Sequence, residues 1–154
     1  MKMKHIAAAM GFIFLLTMGV GAVLAGDVTQ PGPTLAVSPS VAPLDRKTNI
    51  IIMGSGFPQG QEVYILTEDS LGLLTGLDIV AVPNERGCFA EVWALDQYAA
   101  RKIITEGVHS ITAVDKDYKV LASAPLALVD ITKDPEKWPE WAKVAGIKPA
   151  KKKE

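Results

Sequence analysis

From Asn49 to Val129 the chain is a succession of short Val- and Ile-rich runs, each closed by Gly, Pro, Asn or Asp. That rhythm constrains the fold most, because apolar runs of this length bounded by turn residues read as strands. It predicts strands at 49–54, 62–67, 77–82, 88–95, 108–115 and 121–129. PNERG (Pro83 to Gly87) and DKD (Asp115 to Asp117) supply turns between neighbours. Regularly spaced strands with turn signals favour a two-sheet sandwich. No internal repeat is visible.

Two segments break the rhythm. DQYAARKIITEG, Asp96 to Gly107, opens with an aspartate, continues with good helix formers and closes on glycine. Ala99, Ala100, Ile103 and Ile104 fall on one face at helical spacing, so a helix of two to three turns is expected across the end of the sheets. At the other extreme, residues 26–43 carry four prolines, Pro31, Pro33, Pro39 and Pro43, with no helical period. This reads as an extended linker with a first edge strand at 34–37. The domain proper is expected over 44–131, followed by a C-terminal helical segment and Lys-rich tail over 132–154.

The stretch IIIMGSGFPQG, Ile50 to Gly60, contains the glycine spacing of a phosphate-cradling loop. Such a loop needs a helix directly after it, whose N-terminal amides hold the phosphate. Here Val63, Tyr64, Ile65 and Leu66 follow instead, a strand-forming run. Pro58 and Gly60 mark a tight turn before it. No Gly-Lys-Ser/Thr is present, and the stretch is read as a corner between two strands.

GSGFPQGQEVYI, then NERGCFAEVWAL, then GVHSITAVDKDYKVLASAPLALV resemble bacterial and archaeal Ig-like modules of the IPT/TIG kind. The resemblance covers roughly residues 38–129 and is loose between Leu71 and Val82. It implies an Ig-like antiparallel β-sandwich of about seven strands and specifies little about function, since such modules serve many roles. Cys88 departs from the pattern by standing where a small polar residue is usual. The segment after Trp93 departs by being longer. Gly54 and Gly56 would permit close backbone approach, with Phe57 plugging the sandwich end.

The N-terminus opens MKMKH, runs apolar from Ile6 to Ala25 and turns polar at Gly26-Asp27. Small residues at Val23 and Ala25 complete a secretory signal over 1–25, with cleavage expected after Ala25. The alternative is a retained anchor, because about 20 apolar residues can span a bilayer. Gly11-Phe12 is a weak echo of a pilin-type processing site, but Leu16 stands where a glutamate would be needed. Without Lys2 and Lys4 the 16 basic residues become 14 against 17 acidic ones, a net charge of −3. No electrostatic footprint for nucleic acid results. The single Cys88 cannot form an internal disulfide.

No catalytic constellation is assembled by spacing. His109 alternates with Ile111 and Ala113, the place of a hydrogen-bonded structural histidine, and nothing sets Cys88 against it. One cysteine and one histidine make a poor zinc set. Glu68-Asp69 and Asp115-Lys116-Asp117 match no EF-hand loop and read as solvated turns. No cofactor is read, and the chain is expected not to be an enzyme.

The candidate binding residues are aromatic. Trp138, Trp141, Ala142 and Ala145 recur at helical spacing after Pro139. That stripe either docks on its own domain or serves as a segment for another protein or a second copy. Phe89 and Trp93 share one strand face with Glu91, while Ala90, Val92 and Ala94 share the other; which is buried stays open. The functional expectation is an exported, non-catalytic module for protein–protein interaction or a structural role at the cell envelope. Its partner would be an envelope or surface protein or a second copy; a carbohydrate- or metal-binding accessory role is the alternative, a small periplasmic enzyme a third.

Overall fold

The computed structural model describes residues 32–150. The signal or anchor assigned to 1–25 therefore lies outside the described residues. Eight strands form in chain order: β1 (Thr34–Ser38), β2 (Val41–Pro43), β3 (Asn49–Ser55), β4 (Val63–Glu68), β5 (Leu74–Ala81), β6 (Phe89–Ala94), β7 (Gly107–Val114) and β8 (Val120–Val129). A helix α1 (Asp96–Ala100) lies between β6 and β7, and after β8 come a 3-10 turn (Pro135–Lys137) and a helix α2 (Glu140–Lys143).

Three strands in the order β1-β3-β6 form one sheet, and five in the order β2-β8-β7-β4-β5 form the other. All pairings are antiparallel except β2 with β8. This is the all-β sandwich expected, with strands of sequence order interleaved between two layers in the Ig-like manner. The proline-bearing stretch 34–43 contributes two strands, one to each sheet. Both lie at sheet edges, where a residue lacking an N–H does least harm.

Alternation builds the core. In β3, Ile50 and Ile52 are buried while Asn49, Ile51 and Met53 are exposed. Val63 and Ile65 of β4, Trp93 of β6, Ile111 and Ala113 of β7 and Leu126 and Leu128 of β8 meet them between the layers. Burying a side chain of this kind contributes about 1.5–3 kcal/mol.

The GSG stretch is a corner. Gly56 takes φ +75. The Phe57 amide donates to the Gly87 carbonyl at 3.1 Å. The Phe57 and Phe89 rings pack with centroids 5.1 Å apart. Strand β4 follows the corner where a phosphate loop would need a helix.

The helix after Trp93 is shorter than its spacing predicts. It stops at Ala100, Arg101 leaves helical geometry and Lys102 turns left-handed at φ 54. Tertiary packing is the reason. Tyr98 stacks edge-on against Trp93 at 5.6 Å, and Ile104 must drop into the core while Ile103 stays half-exposed. A continuous helix would hold Ile103 and Ile104 on the face of Ala99 and Ala100. Asp96 does not cap the helix; Leu95 occupies the N-cap position and Asp96 pairs with Arg46 at 2.9 Å.

Candidate functional site

The strand register defines two ends. Thr34 lies opposite Ser55, and Val63 opposite Ala81, so the GSG corner and PNERG turn share the end where the chain enters β1. The β4–β5 hairpin tip, the loop 101–106 and the C-terminal segment lie at the other end. These two ends separate Cys88 from His109. Cys88 directly follows the PNERG turn, its thiol donating to the Arg86 carbonyl at 3.6 Å.

Three of the four aromatic candidates lie inside the domain. Phe89 and Trp93 face the core, which resolves the orientation of β6 and leaves Ala90, Val92 and Ala94 outside. The stacking platform that these two rings would form is therefore not on the surface. Trp138 and Ala142 are buried against Val129, with Val41, Ile131, Trp141 and Ile147 packed around them. The tail docks on its own domain, tied further by the Ala150 amide donating to the Ile131 carbonyl at 3.0 Å. Trp141 alone keeps a partly open ring. Of the expected stripe, Trp138 and Ala142 are buried and Trp141 half-buried, but Ala145 is exposed, because the helix spans only Glu140–Lys143 and Trp138 precedes it in extended backbone.

The residues that stand out instead are the leucines of the β4–β5 tip. Leu71 is 91% exposed, Leu73 63% and Leu74 58%. Large apolar side chains so fully in water and so close together are uncommon on a monomer surface. The tip is nonetheless tightly made. Asp69 Oδ1 accepts from the amides of Leu71 and Leu73, both at 2.9 Å. The Asp69 amide donates to the Leu73 carbonyl at 3.1 Å, and the Gly72 amide to the Asp69 carbonyl at 3.0 Å. These bonds hold the Asp69 carboxyl below its ordinary value, the Leu73 amide most, with the Leu71 amide helping against the opposing effect of burial. A depressed carboxylate stabilises the fold above its unfolded value, and that contribution is lost only as pH falls through the lowered one. The sequence signal was available: SLGLL is an apolar cluster inside a turn, and Asp one residue before it is an Asx-turn former.

Beneath the tip lies a cavity of about 150 Å³ between the hairpin and the loop 101–106. Thr67, Asp69, Thr75, Lys102, Thr105 and His109 line it together with Leu73, Ile103 and Ile104. The topology explains the gathering. Thr67 pairs with Thr75 on one side and Ile111 on the other, so inward-facing positions two residues on bring Asp69 level with His109. His109 is buried, as its alternation with Ile111 and Ala113 predicts, and its Nε2 lies 2.8 Å from the Thr105 carbonyl. A larger depression of about 570 Å³ at the opposite end is lined by Gln59, Gly60, Pro83, Asn84, Glu85 and Arg86. Asn84 Oδ1 there is occupied by the Arg86 and Cys88 amides, and among the described residues none that lines it carries an unpartnered buried polar side-chain atom. Among the described residues no group of three or more His, Cys, Asp or Glu is placed to hold a metal ion, and no helix is long and apolar enough to cross a membrane.

No protein-family model matches the chain, and no curated protein does. Among solved structures, macromomycin superposes with a TM-score of 0.47 at 9% identity, over 64% of this chain and 100% of that one. A tetra-tandem repeat from the extending region of a large adhesion protein gives 0.38 at 18% identity, over 64% of this chain and 24% of that one.

Proposed function

We propose that this is an exported, non-catalytic interaction module of the Ig-like, IPT/TIG kind that binds another envelope or surface protein through its β4–β5 tip. One observation carries the reading: three leucines are displayed to solvent on a turn that Asp69 holds in a single conformation. A preorganised apolar tip loses little entropy on docking. Covering one leucine fully is worth roughly 1.5–3 kcal/mol. The half-exposed Ile103 beside the cavity extends the same apolar surface. The GSGF corner with its Phe57–Phe89 contact supports the Ig-like kinship suggested by the sequence. Export rests on the charged start, apolar run and small residues of 1–25.

The test is capture from the native envelope with the wild-type chain and with a triple Leu71→Ser, Leu73→Ser, Leu74→Ser variant. A specific protein retained by the first and reduced at least tenfold by the second supports the tip. Equal capture by both removes it. Intact mass of the native protein examines export in the same preparation. A chain beginning at Gly26 is expected, and one retaining Met1 to Ala25 would replace secretion by an anchor.

A further inference from the structure

The outer face of the three-stranded sheet is uncharged. All ten outward positions of β1, β3 and β6 are exposed, and none of them is Asp, Glu, Lys or Arg. A soluble surface carries about 25–35% charged residues, whereas the centre of an interface is depleted of them. Val92 is 62% exposed, Ile51 43% and Met53 40%. The register gathers these three. Ile51 lies between Ser38 and Val92, and Met53 between Ala36 and Ala90. Charged side chains resume past the strand ends, where Arg46 pairs with Asp96 at one end and Glu85 and Arg86 precede β6 at the other. An apolar centre with a charged rim is the anatomy of a contact surface.

Charge, shape and area say what fits there. A partner that brought a charged side chain onto this face would strand it without a counter-charge. The occupant must therefore be flat and uncharged itself. The outer face of the other sheet does not qualify, because Glu68 falls on the outward positions of β4. The three-stranded face does qualify, against itself. A two-fold axis sets the same patch on both copies, so large side chains need small ones opposite. The central strand offers the large Ile51 and Met53, and β1 beside it offers the small Ala36 and Ser38. In an aligned pair of sheets about 10 Å apart, the β3 ridge of each copy seats over the β1 strip of the other. Strands about 4.8 Å apart with outward residues about 6.7 Å apart give the face a footprint of roughly 300 Å². Two copies then bury on the order of 1,000 Å² between them, the size of a weak, reversible complex.

We propose that a second copy of this chain covers the outer face of the three-stranded sheet, in a weak two-fold dimer packed sheet against sheet. The leucine tip belongs to the five-stranded sheet and stays free, so the pairing does not depend on the tip's role.

Sedimentation velocity of the protein purified from its host tests it, from about 5 µM to about 1 mM, the span in which weak complexes dissociate. A reversible doubling of mass within that span is expected. Amide NMR signals that move on dilution should centre on Ile51, Met53 and Val92. Ile51→Lys sets a charge at the centre of the pair and should weaken dimerisation at least tenfold. Val92→Lys, at a more exposed position, replaces it should the first variant fail to fold. Val108→Lys, on the outer face of the other sheet, and the triple serine variant of the tip should both dimerise like wild type. A monomer at every concentration overturns the proposal. So does a dimer that both lysine variants of this face leave intact, since it would use another surface. Growth beyond the dimer overturns it as well, by indicating open pairing of strand edges. A monomer that instead holds a different native protein, and loses it on Ile51→Lys, would assign the face to that partner.

Discussion

Gly54 is the residue whose identity the fold constrains most sharply. Its backbone is ordinary extended strand, so conformational freedom is not the reason. A Cβ there would lie 2.2 Å from Phe89 Cε1 and 2.8 Å from Phe57 Cε2. The two rings are packed on one another and cannot both withdraw. Gly54→Ala should therefore lower stability by about 1–3 kcal/mol, the usual range for overpacking a core. Chemical denaturation gives the value, and Gly54→Ala combined with Phe89→Leu should recover part of the loss. Unchanged stability in the single variant would mean that the corner tolerates bulk. Gly87 is constrained twice, at φ +71 and with the Phe57 carbonyl 2.5 Å from where its Cβ would stand. The need for glycine at 54 and 56 could be anticipated from the GSG text. Of the two phenylalanines that make position 54 so tight, Phe57 is a near neighbour in the chain but Phe89 comes from strand β6, and no local pattern pairs them.

Among the elements, β6 faces the greatest hazard. It is an edge of the three-stranded sheet, and the outer face beside it is apolar. Ile51 pairs with Val92, and Met53 with Ala90, all on that face and without charge. An open edge next to such a face invites pairing with another chain. Glu91 is the guard, half-buried on the inner side between Phe89 and Trp93, where an added strand would trap its carboxylate. Glu91→Val should keep the fold and increase association, read as larger species by light scattering at raised concentration. A monodisperse variant would place the protection elsewhere. In the five-stranded sheet the edge strand β5 is protected by irregularity. Its register against β4 shifts after Ile65, and Asp78 takes φ 53. These devices mark the limit of what the sequence disclosed. Strands β3, β4, β6, β7 and β8 were legible because alternation and turns agree there. The start of β5 was not, because Gly76 and Asp78 interrupt alternation at the bulge. Strand β1 was anticipated as an edge strand at 34–37, one residue short of its end, whereas Pro39 and Pro43 hid β2, whose edge position tolerates proline. The helix after Trp93 was overread because Tyr98 and Ile104 answer to the core rather than to helical period. At the candidate site, His109 was placed correctly, but its neighbours converge from three strands and a loop.

For the molecule as a whole, the docked tail matters for what it adds to the stability of the domain. Trp138 and Ala142 close over Val129, the last residue of β8, and Val41 of β2 lies against the same cluster. Strand β2 pairs only with β8, so the tail also covers the joint that holds the edge of the five-stranded sheet. Removing a buried tryptophan typically costs about 3–5 kcal/mol, a large part of the roughly 5–15 kcal/mol that holds a domain together. Trp138→Ala should thus be strongly destabilising in urea. Trp141→Ala, whose ring is partly open, should cost clearly less. A chain ending at Asp134 should lose at least as much as Trp138→Ala and should show faster hydrogen exchange in β2. The opposite pattern has a distinct meaning. If Trp138→Ala and the shortened chain unfold at the wild-type urea midpoint, the packing on Val129 contributes nothing. If both also fail to capture a partner that wild type retains, Trp138 belongs to the interface and the tail becomes the binding segment.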